Sequence, residues 1–145
     1  MMVGVPEYLV RCQCGALTAR YETAQLIARW NVRACQCSFC RAHQALSVSD
    51  PDGVLEFRIS QPERLQRYRF GTSITEYLIC GQCGVYIGAR LAREHGNFGI
   101  INARALVPIP LQLPAATPMN YAAESIDDKR TRRSARWTPL SASSL

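Results

Sequence analysis

Apolar and polar residues alternate in short runs along most of this chain, and turn-forming residues separate the runs. Residues 7–11 alternate, Cys12-Gln13-Cys14-Gly15 interrupts them, and residues 16–21 resume the pattern. This predicts a hairpin whose tight turn carries two thiols, with Gly15 letting the backbone fold back. Residues 23–32 read as a short helix or connector, with Trp30 as a core anchor. Residues 41–44 read as one helical turn capped by Ser38, and residues 45–49 as extended chain. Asp50-Pro51-Asp52-Gly53 is a strong turn signal ahead of an alternating strand at 54–59. After the break at Gln61-Pro62-Glu63, residues 65–70 and 74–79 form two strands joined through Gly71-Thr72-Ser73. Residues 85–91 and 98–101 complete a β-rich core, in which Tyr68, Tyr77, Tyr86 and Phe98 are expected to pack.

Short strands at close spacing predict a mainly β domain over residues 1–107. From Val107 onward Pro108, Pro110, Pro114 and Pro118 argue against regular structure. Residues 108–145 are therefore expected to form an irregular basic arm on the domain, ending in a loose Ser-rich tail.

Composition narrows the class. Apolar residues make up 48% of the chain, enough for one core, and no stretch approaches the roughly 18–20 apolar residues of a membrane span. Residues 1–10 carry Pro6 and Glu7 and lack a basic segment followed by an apolar block, so a cytoplasmic protein without a secretory signal is expected. Seven cysteines cannot all pair internally, which suits a reducing compartment. The net charge is +6, and Lys129 is the sole lysine. Part of the charge sits in Lys129-Arg130-Thr131-Arg132-Arg133, with Arg136 close behind. Such a run is a solvated face, or a contact for an anionic small molecule or for nucleic-acid phosphates.

The candidate chemistry lies in the thiols. Cys35, Cys37 and Cys40 fall within six residues, a density that gathers sulfur around a metal instead of stapling distant segments. Spacing leaves two partitions open. Cys37 and Cys40 can join Cys80 and Cys83 as paired knuckles; alternatively Cys12 and Cys14 join Cys80 and Cys83, leaving Cys35, Cys37 and Cys40 together. The second is chemically preferable, because the first strands Cys35 beside a metal it does not bind.

Cys12-x-Cys14-Gly15, Cys35-x-Cys37-Ser38-x-Cys40-Arg41, Cys80-x-x-Cys83-Gly84 and Ile101-Asn102-x-Arg104-x-Leu106 together resemble the glutathione-dependent formaldehyde-activating enzyme family, which includes the centromere protein V domain. The resemblance implies an Mss4-like fold of coiled antiparallel β-sheets stapled by zinc-cysteine knuckles. It implies a structural zinc on Cys12, Cys14, Cys80 and Cys83 and a catalytic zinc on Cys35, Cys37 and Cys40. It also implies a carbon-sulfur lyase that adds glutathione, or a similar thiol, to formaldehyde or another small aldehyde.

Three thiolates leave a zinc centre with a charge of about −1 and one position for a soft ligand, where a coordinated thiol is deprotonated. Arg33 and Arg41 flank the loop and are candidates for the thiol's carboxylates. His43 is the residue whose spacing would let it close the site as Cys₃His, whereas His95 is expected to be exposed. Two other classes compete: a non-catalytic zinc module for nucleic acid or an acidic protein, and a redox or metal sensor. Against nucleic acid, the basic run lacks interleaved aromatics apart from Trp137.

Overall fold

The computed structural model describes residues 4–145, so positions 1–3 of the N-terminal stretch read above lie outside it. In chain order the strands are β1 (Glu7–Arg11), β2 (Leu17–Glu22), β3 (Arg33–Cys35), β4 (Ser47–Val48), β5 (Val54–Ile59), β6 (Leu65–Tyr68), β7 (Glu76–Cys80), β8 (Tyr86–Arg93), β9 (Gly96–Asn102), β10 (Thr117–Met119) and β11 (Thr138–Pro139). Helix α1 (Ser38–His43) lies between β3 and β4, and α2 (Ile126–Arg136) between β10 and β11. The fold is mainly β and its sheets are largely antiparallel. A small sheet has the order β1-β2-β5, and a large one the order β10-β3-β4-β9-β8-β7-β6 with β11 also on β9. Among the described residues no helix is long and apolar enough to cross a membrane.

Successive side chains of a strand point to opposite faces. In the middle of the large sheet β7, β8 and β9 are buried on both faces, whereas β6 at the edge is largely exposed. Leu78, Ile87 and Ile101 join Val10, Leu17, Tyr21, Leu55 and Phe57 in the core shared with the small sheet. Their chain neighbours Tyr77, Tyr86 and Ile100 join Phe39, Cys40 and Trp137 in a second core on the other face. Gly88 sits where the layers come closest; a Cβ there would collide with the carbonyl of Ile100 and the ring of Phe57.

The two-thiol turn, the Asp50 turn and the strand at 54–59 fall where the pattern puts them. The 23–32 stretch is a connector with one 3₁₀ turn at Ile27–Arg29, and Trp30 is buried. Tyr68 departs from the expectation of core packing: the residue is 49% exposed, and its ring stacks on those of Phe39 and Phe70. The cap of α1 also differs. Cys37, not Ser38, is the N-cap, and its Sγ accepts the Cys40 N–H.

The largest correction concerns residues 108–145, which are not irregular throughout. β10 runs parallel to β3, and α2 is an 11-residue helix containing the basic run. No proline falls between Pro118 and Pro139, so their helix-breaking effect does not reach residues 126–136. Ser125 caps α2 by accepting the Asp128 N–H, Asp127 and Asp128 occupy its first turn, and Arg133 and Arg136 its last. That distribution of charge favours the helix dipole at both ends. The Ser-rich tail is not loose either. Ser141 N donates to Leu55 O (2.9 Å), Ser144 Oγ accepts from Phe57 N (2.9 Å), and Leu145 N donates to Phe57 O (3.1 Å). The tail thus covers the outer edge of β5, groups that would otherwise be left unpaired.

Candidate metal centre

Cys12 and Cys14 lie in the turn between β1 and β2, Cys80 ends β7, and Cys83 lies in the turn that leads to β8. In each turn a glycine closes back on the first cysteine, across three residues in one and four in the other. Gly15 N donates to Cys12 O (3.1 Å) and Gly84 N to Cys80 O (2.8 Å), with Gly15 and Gly84 at φ of 85° and 80°. That left-handed conformation suits glycine. The four sulfurs lie within 4.8 Å of one another, Cys12 and Cys14 at 3.8 Å and Cys14 and Cys80 at 3.5 Å. A tetrahedron with Zn–S bonds of about 2.3 Å has edges of about 3.8 Å, so the set fits zinc. The sulfurs also accept N–H groups: Leu17 N on Cys12 (3.3 Å), Cys83 N on Cys80 (3.4 Å) and Arg64 Nη1 on Cys14 (3.6 Å). Burial pushes the Cys12 thiol up to about 11. Burial also raises Cys83, but backbone and thiol hydrogen bonds outweigh it and bring it down to about 6.

The second cluster is assembled over one β-to-α junction. Cys35 ends β3, Cys37 caps α1, and Cys40 lies buried in the first turn of that helix. Gln36 N donates to Met119 O of β10 at 2.8 Å, holding the intervening residue against the sheet edge. The three sulfurs lie within 4.8 Å of one another. Hydrogen bonds from Cys35 and Cys40 hold the Cys37 thiol down to about 2, the contact with Cys37 raises Cys35, and contacts with Cys35 and then Cys37 raise Cys40. Three soft sulfur donors gathered this closely fit a thiophilic ion such as zinc. The sulfurs gather as four and three, and the alternative pairing of Cys37 and Cys40 with Cys80 and Cys83 is not the one assembled. No disulfide joins any of the seven cysteines.

His43 stands outside the three-sulfur group. Its Nδ1 lies 3.0 Å from Phe39 O in the same helix, and its ring lies 4.3 Å from that of Phe39. His95 is exposed near Phe98.

A cleft of about 250 Å³ opens beside the cluster, lined by Cys35, Cys37, Tyr77, Tyr121, Lys129 and Arg133 among others. A smaller cavity of about 40 Å³ continues behind it, between Cys35, Cys40 and Trp137 and toward Arg33. Arg33 lines that cavity with Arg132 and donates from Nη2 to Ser49 Oγ (2.8 Å); burial lowers the pKa of its guanidinium. Arg41 is exposed on α1 and does not line the cleft. Lys129, Arg133 and Tyr121, which the sequence reading gave no place in the site, do line it. The signal that could have found them is Ser125-Ile126-Asp127-Asp128 ahead of a basic last turn, which marks a helix presenting Lys129 and Arg133 on one face.

A crystal structure of a Rhodobacter sphaeroides protein, solved as a structural-genomics target, resembles this chain with a TM-score of 0.57 and 26% identity. The likeness covers 77% of this chain and 99% of that one. Among curated proteins no match is found. The family model described as glutathione-dependent formaldehyde-activating enzyme matches residues 7–114, a span holding both thiol clusters and every strand of the small sheet. The chain belongs to the glutathione-dependent formaldehyde-activating enzyme family.

Proposed function

We propose that this chain is a zinc-dependent carbon-sulfur lyase that joins a low-molecular-weight thiol, glutathione or a similar molecule, to formaldehyde or another small aldehyde. In the product-forming direction the thiol gives up its proton, its sulfur bonds to the carbonyl carbon as the C=O π bond opens onto oxygen, and that oxygen takes up a proton. The product is an S-hydroxyalkyl thiol. The observation that carries the reading is the three-sulfur cluster on the wall of a cleft, with no fourth metal-ligating side chain gathered to it among the described residues.

Cys35, Cys37 and Cys40 would hold the catalytic zinc, and Cys12, Cys14, Cys80 and Cys83 a structural one. Bound zinc supplies a position at which an incoming thiol is deprotonated at neutral pH. The chain's own residues do the rest. Phe70, Ile74 and Tyr77 give the cleft an apolar wall that limits water around the ligand. Arg33, which lines the smaller cavity with Cys35 and Cys40, offsets the negative charge that accumulates when a fourth sulfur arrives beside three others. Free cysteines throughout suit a reducing compartment such as the cytoplasm.

The reaction is followed by ¹³C exchange NMR of labelled formaldehyde with glutathione. Parent protein accelerates formation of S-hydroxymethylglutathione over the spontaneous rate, and Cys37→Ser returns it to that rate. An unaccelerated reaction with fully metal-loaded parent would refute the proposal.

A further inference from the structure

Lys129 and Arg133 are four residues apart on α2 and both line the cleft that holds Cys35 and Cys37. Glu124 binds Arg132 through two oxygens (2.8 and 2.9 Å), Asp127 faces Arg130 at 3.9 Å, and Asp128, exposed in the first turn of α2, pairs with neither Lys129 nor Arg133 among the described residues. Among the described residues neither Lys129 nor Arg133 has an ion-pair partner. Arg133 is nevertheless held in place. Its Nη1 donates to Thr75 Oγ1 (2.6 Å), and its guanidinium lies 5.0 Å from the Trp137 ring centroid. Its Nε is buried with no acceptor among the described residues. A fixed cation with an unanswered buried donor, facing an open cleft beside a second cation, is a site prepared for an anion.

We infer that Lys129 and Arg133 form an anion subsite that selects thiols carrying a carboxylate, with the ligand's sulfur toward Cys35 and Cys37 and its carboxylate toward α2. The inference deepens the proposed function and rests on it. α2 lies beyond the residues matched by the family model, so the preference is written in this chain's own C-terminal segment. The alternative role for the two cations, balancing the cysteine sulfurs, would favour charged and neutral thiols alike.

The test is titration of the cobalt-loaded full chain with 3-mercaptopropionate and with 2-mercaptoethanol, following cobalt absorption. The parent is expected to bind the carboxylate thiol about tenfold more tightly, one charge-assisted contact's worth. Lys129→Gln and Arg133→Gln should shrink that ratio toward unity while leaving 2-mercaptoethanol affinity unchanged, and Lys129→Arg should keep it. Equal affinities in the parent, a ratio unchanged in both Gln variants, or parallel weakening of both thiols would overturn the inference while leaving the function intact. If neither thiol perturbs the cobalt spectrum, the proposed function fails and the subsite falls with it.

Discussion

The Nδ1 of His43 lies 3.0 Å from the carbonyl oxygen of Phe39, one turn back in the same short helix. That bond, with the ring packed on Phe39, engages the imidazole within its own helix, and among the described residues the three-sulfur group includes no histidine. His43→Ala should therefore keep the parent's metal content. Elemental analysis of purified protein checks this, and the account expects about two zinc ions per chain in both forms. Loss of one ion in the variant would place His43 in the coordination sphere.

The two thiol clusters should respond differently to substitution. Cys80 is fully buried in the core shared by the two sheets, and its knuckle ties the β7 turn to the β1 turn. Binding energy for a structural zinc is folding energy, so Cys80→Ser should abolish cooperative unfolding or lower the melting temperature steeply. Cys37→Ser keeps a good N-cap for α1, limiting the cost to about 1 kcal/mol or less while removing one metal equivalent. Circular dichroism melts with metal counting separate the two outcomes.

Acid should weaken the small sheet through Glu56. Its buried carboxylate binds Arg58 and accepts from Ser143 Oγ (2.9 Å), with Arg20 Nη2 at 3.2 Å. These partners, Arg58 first, hold its pKa down from 4.5 to about 2. The stabilisation is fully present above the unfolded value near 4.5, declines as pH falls, and is gone below about 2. Glu56→Gln should flatten the loss of stability across that window. Urea unfolding of both forms at about pH 6 and about pH 3 measures the difference in slope.

Much of this fold was legible because local chemistry decides it. The Cys12-Gln13-Cys14-Gly15 turn, the Asp50 turn and the alternating strand β5 follow from residues a few positions apart. The sulfurs were readable because thiols that ligate a metal need close spacing and glycine beside them. The C-terminal segment was misread for a physical reason: four prolines speak only for the residues around them, and α2 draws on a cap and charges that begin at Ser125. The cleft was out of reach for another reason. Whether Lys129 and Arg133 face Cys35 or solvent depends on where Trp137 packs, a tertiary choice that no local pattern encodes.

That anchoring role can be tested directly. Trp137 is buried in the second core, which also holds Phe39, Cys40 and Tyr77, and its exchange for alanine should cost about 3–5 kcal/mol. The loss should fall on α2 and the adjoining β11, so hydrogen exchange in those elements should accelerate first. Uniform acceleration across the large sheet would mean that α2 is not docked through this residue.

The account's central claim is that the metal held by Cys35, Cys37 and Cys40 accepts an outside sulfur. Its most direct measurement is the thiolate-to-metal charge-transfer absorption of the cobalt-loaded chain titrated with glutathione. A saturable rise corresponding to one added sulfur on one of two metals, absent in Cys37→Ser, is the predicted result. A spectrum unchanged by glutathione, with both metals already four-coordinate through protein atoms, would contradict it.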